Sequence, residues 1–153
     1  MKERILVFDM DGTIADFYGV ENWLVDLKNE SIRPYAQAKP LVNMVELKNL
    51  LLSFKEKGFK VIVTSWLANY STKEYKNRTR QAKIEWLEKY NFPYDEIHLV
   101  QYGTTKANCT RKYGKCQILI DDNKKVRDGW KLGRTIDANK DIIKELKEIL
   151  KSA

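Results

Sequence analysis

The chain has 153 residues, 43% hydrophobic and 32% charged, with 28 Lys and Arg against 21 Asp and Glu for a formal net charge of +7. That length and balance describe one folded domain with a sizeable core, spanning 1–153, and exclude a disordered or low-complexity chain. No apolar run approaches the roughly 18 residues of a membrane span, and the start MKERILVF carries no signal-like stretch, so the expectation is a cytoplasmic protein without membrane contact.

RILVF (4–8) reads as a short buried strand. FDMDGTIADFYG follows, with Asp9, Asp11 and Asp16 crowded where that strand ends. From Pro40 to Lys57 the spacing predicts a helix carrying Met44, Leu47, Leu51 and Phe54, stopped by Gly58. KVIVT (60–64) is the second strand. Ser71 and Glu74 then suggest a capping box that opens a helix with Tyr75, Thr79, Ala82, Trp86 and Tyr90 on one stripe. EIHLV (96–100) and QILID (117–121) are strands three and four. Asn123 is placed to cap a short helix with Val126 and Trp130, RTIDA (134–138) is a weaker fifth strand, and Asn139 is placed to cap a last helix.

Strands alternating with helices imply an α/β fold, a three-layer Rossmann-like parallel sheet of about five strands. Ligands bind such sheets beyond the carboxyl ends of the strands. Asp9 and Asp11, then Thr64 and Ser65, then Asp121 and Asp122 all fall at that edge. Residues two apart on a strand share a face, so Asp9 and Asp11 would face the same site as Asp121 and Asp122. Four carboxylates together repel unless a cation sits among them, and an all-oxygen set of this kind suits Mg²⁺. A row of helix-capping aspartates is the bland reading, but it gives no reason for Asp9-x-Asp11-Gly12-Thr13. Thr64 and Ser65 offer hydroxyls for a phosphoryl oxygen, and Lys106, in GTTKAN, offers a point positive charge.

These stretches in this order, FDMDGTIAD, VIVTS, Lys106 and ILIDD, resemble the four signature motifs of the haloacid dehalogenase superfamily of phosphohydrolases. The resemblance implies a Mg²⁺-dependent phosphomonoester hydrolase in which Asp9 attacks phosphorus to form an aspartyl-phosphate and Asp11 acts as general acid, then base. It implies that the metal is held by Asp9, by the backbone carbonyl of Asp11, and by Asp121, Asp122 or both. Thr64 and Lys106 would hold the phosphate. It also implies a cap insertion; residues 17–39 leave room for a minimal helical one after the first strand, and hence for an open site.

Within the superfamily, DMDGxxADF, TS and LIDD are similar to the 5'(3')-deoxyribonucleotidases. That likeness points to a phosphorylated small molecule, a nucleotide, as substrate, with Ser65, Trp66, Phe17 and Trp23 beside it. Aromatics near the site suit stacking on a base, although Trp23 and Trp66 also suit core packing. YKNRTRQAKIEWLEK and IDDNKKVRDGWKLG are similar instead to the phosphatase domain of polynucleotide kinase/phosphatases. A polynucleotide 3'-phosphate would match the positive charge, and Arg78 and Arg80 could then meet substrate. A third reading is a catalytically idle domain that binds nucleic acid or protein. Cys109 and Cys116 read as reduced, packed thiols, and the lone His98 as a structural residue of its strand.

Overall fold

A computed structural model describes residues 3–153. Strand β1 is Arg4–Phe8, and its alternation puts Ile5 and Val7 on one face and Leu6 and Phe8 on the other, all fully buried. The chain then makes β2 (Ala15–Asp16), a 3₁₀ turn (Phe17–Gly19), α1 (Trp23–Lys28), α2 (Arg33–Gln37) and β3 (Lys39–Pro40). After α3 (Met44–Glu56) come β4 (Phe59–Trp66), α4 (Lys73–Lys89), β5 (Glu96–Val100) and the short α5 (Ala107–Thr110). The chain closes with β6 (Cys116–Asp121), α6 (Lys124–Asp128), β7 (Gly133–Asp137) and α7 (Ile142–Ser152).

Five strands form one sheet in the order β5-β4-β1-β6-β7, every pair parallel. Parallel neighbours need a crossover, and the intervening helices supply it. The order reverses at β1: the chain runs outward through β4 and β5, then returns to the other side of β1 for β6. A crevice opens at such a reversal, beyond the carboxyl ends of the strands.

The two faces are covered unequally. Leu6, Phe8, Val61, Val63, Ile118 and Ile120 pack against Leu47, Leu51 and Phe54 of α3, Trp86 and Leu87 of α4, and Leu146 of α7. Ile5, Val7, Ile62 and Leu119 meet Ala107 of α5, Trp130 and Leu132, with Tyr113 and Val126 partly buried beside them. The thick side therefore carries most of the apolar burial. Truncating Phe8 there would remove a buried ring that meets Phe92 edge-on at 5.3 Å, at a cost of about 3–5 kcal/mol.

Four local expectations move by a few residues. The helix expected from Pro40 begins at Met44, because Pro40 pairs with Ala15 in the β2–β3 ladder and Asn43 accepts a hydrogen bond from the Glu46 N–H. Thr72, not Ser71, caps α4 by accepting from the Tyr75 N–H at 3.1 Å; the Ser71 hydroxyl donates to the Ala68 carbonyl. Asp141, not Asn139, caps α7. Trp130 lies beyond α6, buried under the thin face. Cys109 is half-buried but Cys116, expected to be packed, is exposed at the first residue of β6, and neither forms a disulfide. None of the described helices is long and apolar enough to cross a membrane.

Residues between β2 and β3 form a small insert over the crevice. It is docked on α4: the Tyr75 hydroxyl donates to the Ser31 carbonyl at 2.7 Å, Arg78 donates to the Glu30 carbonyl at 3.0 Å, and the Thr72 hydroxyl donates to the Glu30 carboxylate.

Candidate active site

Past Phe8 the Asp9 N–H still donates to Ile120 at 3.0 Å, so the first acidic residue inherits the alignment of the sheet. The chain then doubles back, the N–H groups of Thr13, Ile14 and Ala15 all donating to the Met10 carbonyl. Gly12 sits at φ +80°, where a side chain is strained, and a Cβ there would lie 2.9 Å from Asp122 Cγ. Only glycine lets the turn come this close to the acidic end of β6.

At the centre, one oxygen from each of Asp9, Asp121 and Asp122 lies within 4.8 Å of the others. Asp9 and Asp121 are buried and Asp122 half-buried. Lys106 lies between two of them, donating to Asp9 Oδ1 at 2.9 Å and Asp121 Oδ2 at 2.8 Å, with its own side chain 4% exposed. Its Nζ also lies 5.2 Å from the centroid of the Trp66 ring. Thr13, fully buried, donates its hydroxyl to Asp9 Oδ2 at 2.9 Å and accepts from the Asp122 N–H at 3.1 Å. Both oxygens of Asp9 are therefore fixed in direction.

Asp11 stands apart from that trio. Its Oδ2 accepts from Lys83 of α4 at 2.8 Å, and its side chain remains 19% exposed to the cleft. Lys83 itself is buried, and it also donates to the Ser65 hydroxyl at 2.8 Å and the Trp66 carbonyl at 3.1 Å.

The balance of charge in this cluster points to a cation. With all four carboxylates ionised, Asp9, Asp11, Asp121 and Asp122 set against the ammonium groups of Lys83 and Lys106 leave two negative charges over. Burial, then the neighbouring Asp9, pushes Asp122 up to about 7 and Asp121 to about 6. Burial also raises Asp11, opposed by Lys83. Burial disfavours the Lys106 ammonium, but Asp9 and Asp121 outweigh it and its pKa rises. The surplus is the charge of one hard divalent cation, and three convergent carboxylates are the donors such an ion takes. The residues fit one.

The walls of the cleft are aromatic. Its volume is about 400 Å³, and Phe17, Tyr18, Trp23, Tyr35, Trp66 and Tyr102 line it beside the acidic residues. Phe17 is buried, its ring centroid 5.4 Å from that of Trp23. Tyr18 and Tyr102 are about half exposed at the rim, so the cleft is open to solvent. Trp66 donates its indole N–H to the Thr104 carbonyl at 2.8 Å and lies against Tyr102.

Ser65 lines the cleft, whereas Thr64 does not. Thr64 is fully buried, and its hydroxyl has no partner among the described residues. Arg78 and Arg80 are spent on Glu30 and Asn77 and stay outside the cleft, as does His98, which lies 3.2 Å from Glu96 on the edge strand β5. Sequence reasoning missed Lys83 and assigned no role to Thr13. A signal for Lys83 exists: it stands four residues after Thr79 and beside Ala82, a lysine on the buried stripe of α4.

No protein-family model matches the chain, and no curated protein gives a significant match. Among solved structures it is similar to D,D-heptose 1,7-bisphosphate phosphatase from Burkholderia thailandensis, with a TM-score of 0.57 over 97% of this chain and 99% of that one. The two share 12% sequence identity, so the likeness is one of fold. The chain has a three-layer α/β fold, in the arrangement that this phosphatase adopts.

Proposed function

We infer that the protein is a Mg²⁺-dependent phosphomonoester hydrolase that works through an aspartyl-phosphate on Asp9, with nucleoside monophosphates as its substrate class. The observation that carries the reading is the trio of Asp9, Asp121 and Asp122 within 4.8 Å, with Lys106 bridging two of its members. The fold shared with a sugar-bisphosphate phosphatase agrees with a phosphoryl-transfer chemistry.

Asp9, Asp121, Asp122 and the carbonyl of Asp11 would hold the Mg²⁺. When bound, the ion supplies positive charge against the spread charge of the transferring phosphoryl group. Lys106 has committed two of its three N–H donors within the protein, and the third is available to a phosphoryl oxygen. Ser65 accepts from Lys83 and keeps its own O–H proton to donate. The Asp9 carboxylate attacks phosphorus in line as the ester P–O bond breaks, and Asp11 gives its proton to the departing alkoxide. Water then attacks the phosphorus of the aspartyl-phosphate and loses a proton to Asp11, which releases inorganic phosphate and restores both side chains.

The aromatic wall supports a flat leaving group such as a nucleoside, since a base stacked there gains about 0.5–1.5 kcal/mol per ring. A second reading, hydrolysis of a polynucleotide 3'-phosphate, is favoured by one observation. A groove of about 470 Å³ continues past Trp66 and Tyr102, carrying Thr104, Thr105 and Lys125. The test is turnover of dTMP, dUMP and a 3'-phosphorylated oligonucleotide with and without Mg²⁺. Metal-dependent release of phosphate from the monophosphates is the expected result. Release from the oligonucleotide alone, falling steeply with salt, selects the second reading. Release from none of them ends both.

A further inference from the structure

Resting on that phosphatase reading, we propose that Lys83 is a positioning residue that holds Asp11 out of the metal trio and aims it at the leaving group. Asp9 and Asp11 lie two positions apart on one turn, yet the reaction needs them in different places: one carboxylate at phosphorus, the other at the ester oxygen. The turn at Met10 divides their backbones, and Lys83 of α4 fixes the Asp11 side chain on the far side of it.

The Lys83 ammonium has three N–H donors, and all three are used: Asp11 Oδ2 at 2.8 Å, Ser65 Oγ at 2.8 Å and the Trp66 carbonyl at 3.1 Å. Two of these acceptors belong to the end of β4, so Asp11 is tethered to the sheet through a fixed tripod. The Tyr35 ring, 5.1 Å from Nζ, closes another side. Lys106 differs in having a donor left over for a ligand; Lys83 has none among the described residues, so it acts on Asp11 rather than on substrate. Asp11 meanwhile keeps its second oxygen without a hydrogen-bond partner among the described residues, on a side chain that lines the cleft. One oxygen is held and the other is presented. A released Asp11 could rotate toward the cation and join the trio as a ligand, and an acid displaced by about 1 Å is about 100-fold less effective.

The test compares two esters by their kcat/KM, which reports events up to cleavage of the ester bond. p-Nitrophenolate departs without a proton, whereas the alkoxide of β-glycerol phosphate needs one. With saturating Mg²⁺, Lys83→Met is expected to lose about 100-fold or more on the alkyl ester and less than about 10-fold on the aryl ester, the same imbalance as Asp11→Asn. Lys83→Arg is expected to recover part of the alkyl activity. Equal loss on both esters, or no loss, overturns the proposal. If Lys83→Met does not fold cooperatively, the polar variant Lys83→Gln decides: an alkyl-selective loss supports the proposal and an even one overturns it. A wild-type protein inert toward both esters overturns the phosphatase reading itself, a result distinct from either.

Discussion

The floor and the wall of the cleft are built on different principles. The floor is ionic and rises from the ends of β1 and β6 and the start of α5, where Asp9, Thr13, Lys106 and Asp121 are buried and each has defined partners. The wall is aromatic and comes largely from the short insert, where Tyr18 and Leu24 are about half exposed and the rings meet at varied angles. Buried charge tolerates little displacement, because an ammonium or carboxylate without its partner costs several kcal/mol. Exposed rings tolerate a good deal. On the proposed function, the floor would determine the chemistry and the wall what is brought to it.

The largest effect that would sharpen this contrast is on Asp9, the proposed nucleophile. Asp9→Asn is expected to lower Mg²⁺-dependent phosphatase activity at least about 1,000-fold while the protein stays folded; wild-type turnover by this variant would remove Asp9 from the mechanism. Next comes Lys106→Met. It leaves Asp9 and Asp121 buried without their common cation, so the metal-free protein should lose about 3–5 kcal/mol in urea unfolding, besides most of its activity. A loss below 1 kcal/mol, as an order-of-magnitude threshold, would mean that the floor is less rigid than described.

The wall should respond more weakly and more selectively. Tyr18→Ala or Trp23→Ala is expected to reduce kcat/KM for dTMP by about 3–10-fold and to leave β-glycerol phosphate within about 2-fold. Equal losses on both would make the rings structural.

The smallest effect is on thermal stability. Asp121 and Asp122, raised in the folded protein to about 6 and 7, bind protons more tightly there than in the unfolded chain. Their contribution to stability is present below the ordinary value of 3.8 and is lost as pH rises through 6 and 7. On the proposed function, Mg²⁺ would take the deprotonated pair and offset that loss. Calorimetry should therefore show millimolar Mg²⁺ raising Tm by about 2–6 °C near pH 8 and by less than about 1 °C near pH 5. An equal rise at both would place the ion elsewhere.

The floor was largely legible in the sequence, and the wall in part. Apolar runs marked all five strands, and parallel topology alone was enough to gather Asp9, Ser65, Asp121 and Asp122 at one edge. Legibility failed where a residue's partner is distant in the chain. Lys83 stands on the buried stripe of α4, but its partner Asp11, 72 positions away, is reached only once α4 is packed on the sheet. Thr13 reads as a turn residue, although its hydroxyl reaches Asp122 as well as Asp9. Thr64 and Ser65 are equivalent in composition, and only the pleat separates the hydroxyl in the cleft from the one beneath it. The cap displacements at Ser71 and Asn139 are choices between adjacent polar residues, which local propensity does not resolve.

The two-residue ladder of β2 and β3 holds both ends of the insert beside the turn at residues 9–13. The Gly12 N–H donates to Ala15 at 2.8 Å, and the Leu41 N–H donates to Ile14 at 2.8 Å. Whatever polypeptide is spliced between those anchors meets the same pair of attachment points. Doubling such a loop costs only about 0.6 kcal/mol in closure entropy. The clamp makes the segment interchangeable: transplanting a longer or differently shaped one is a route to new selectivity that leaves Asp9, Asp11, Lys106 and Asp121 where they are.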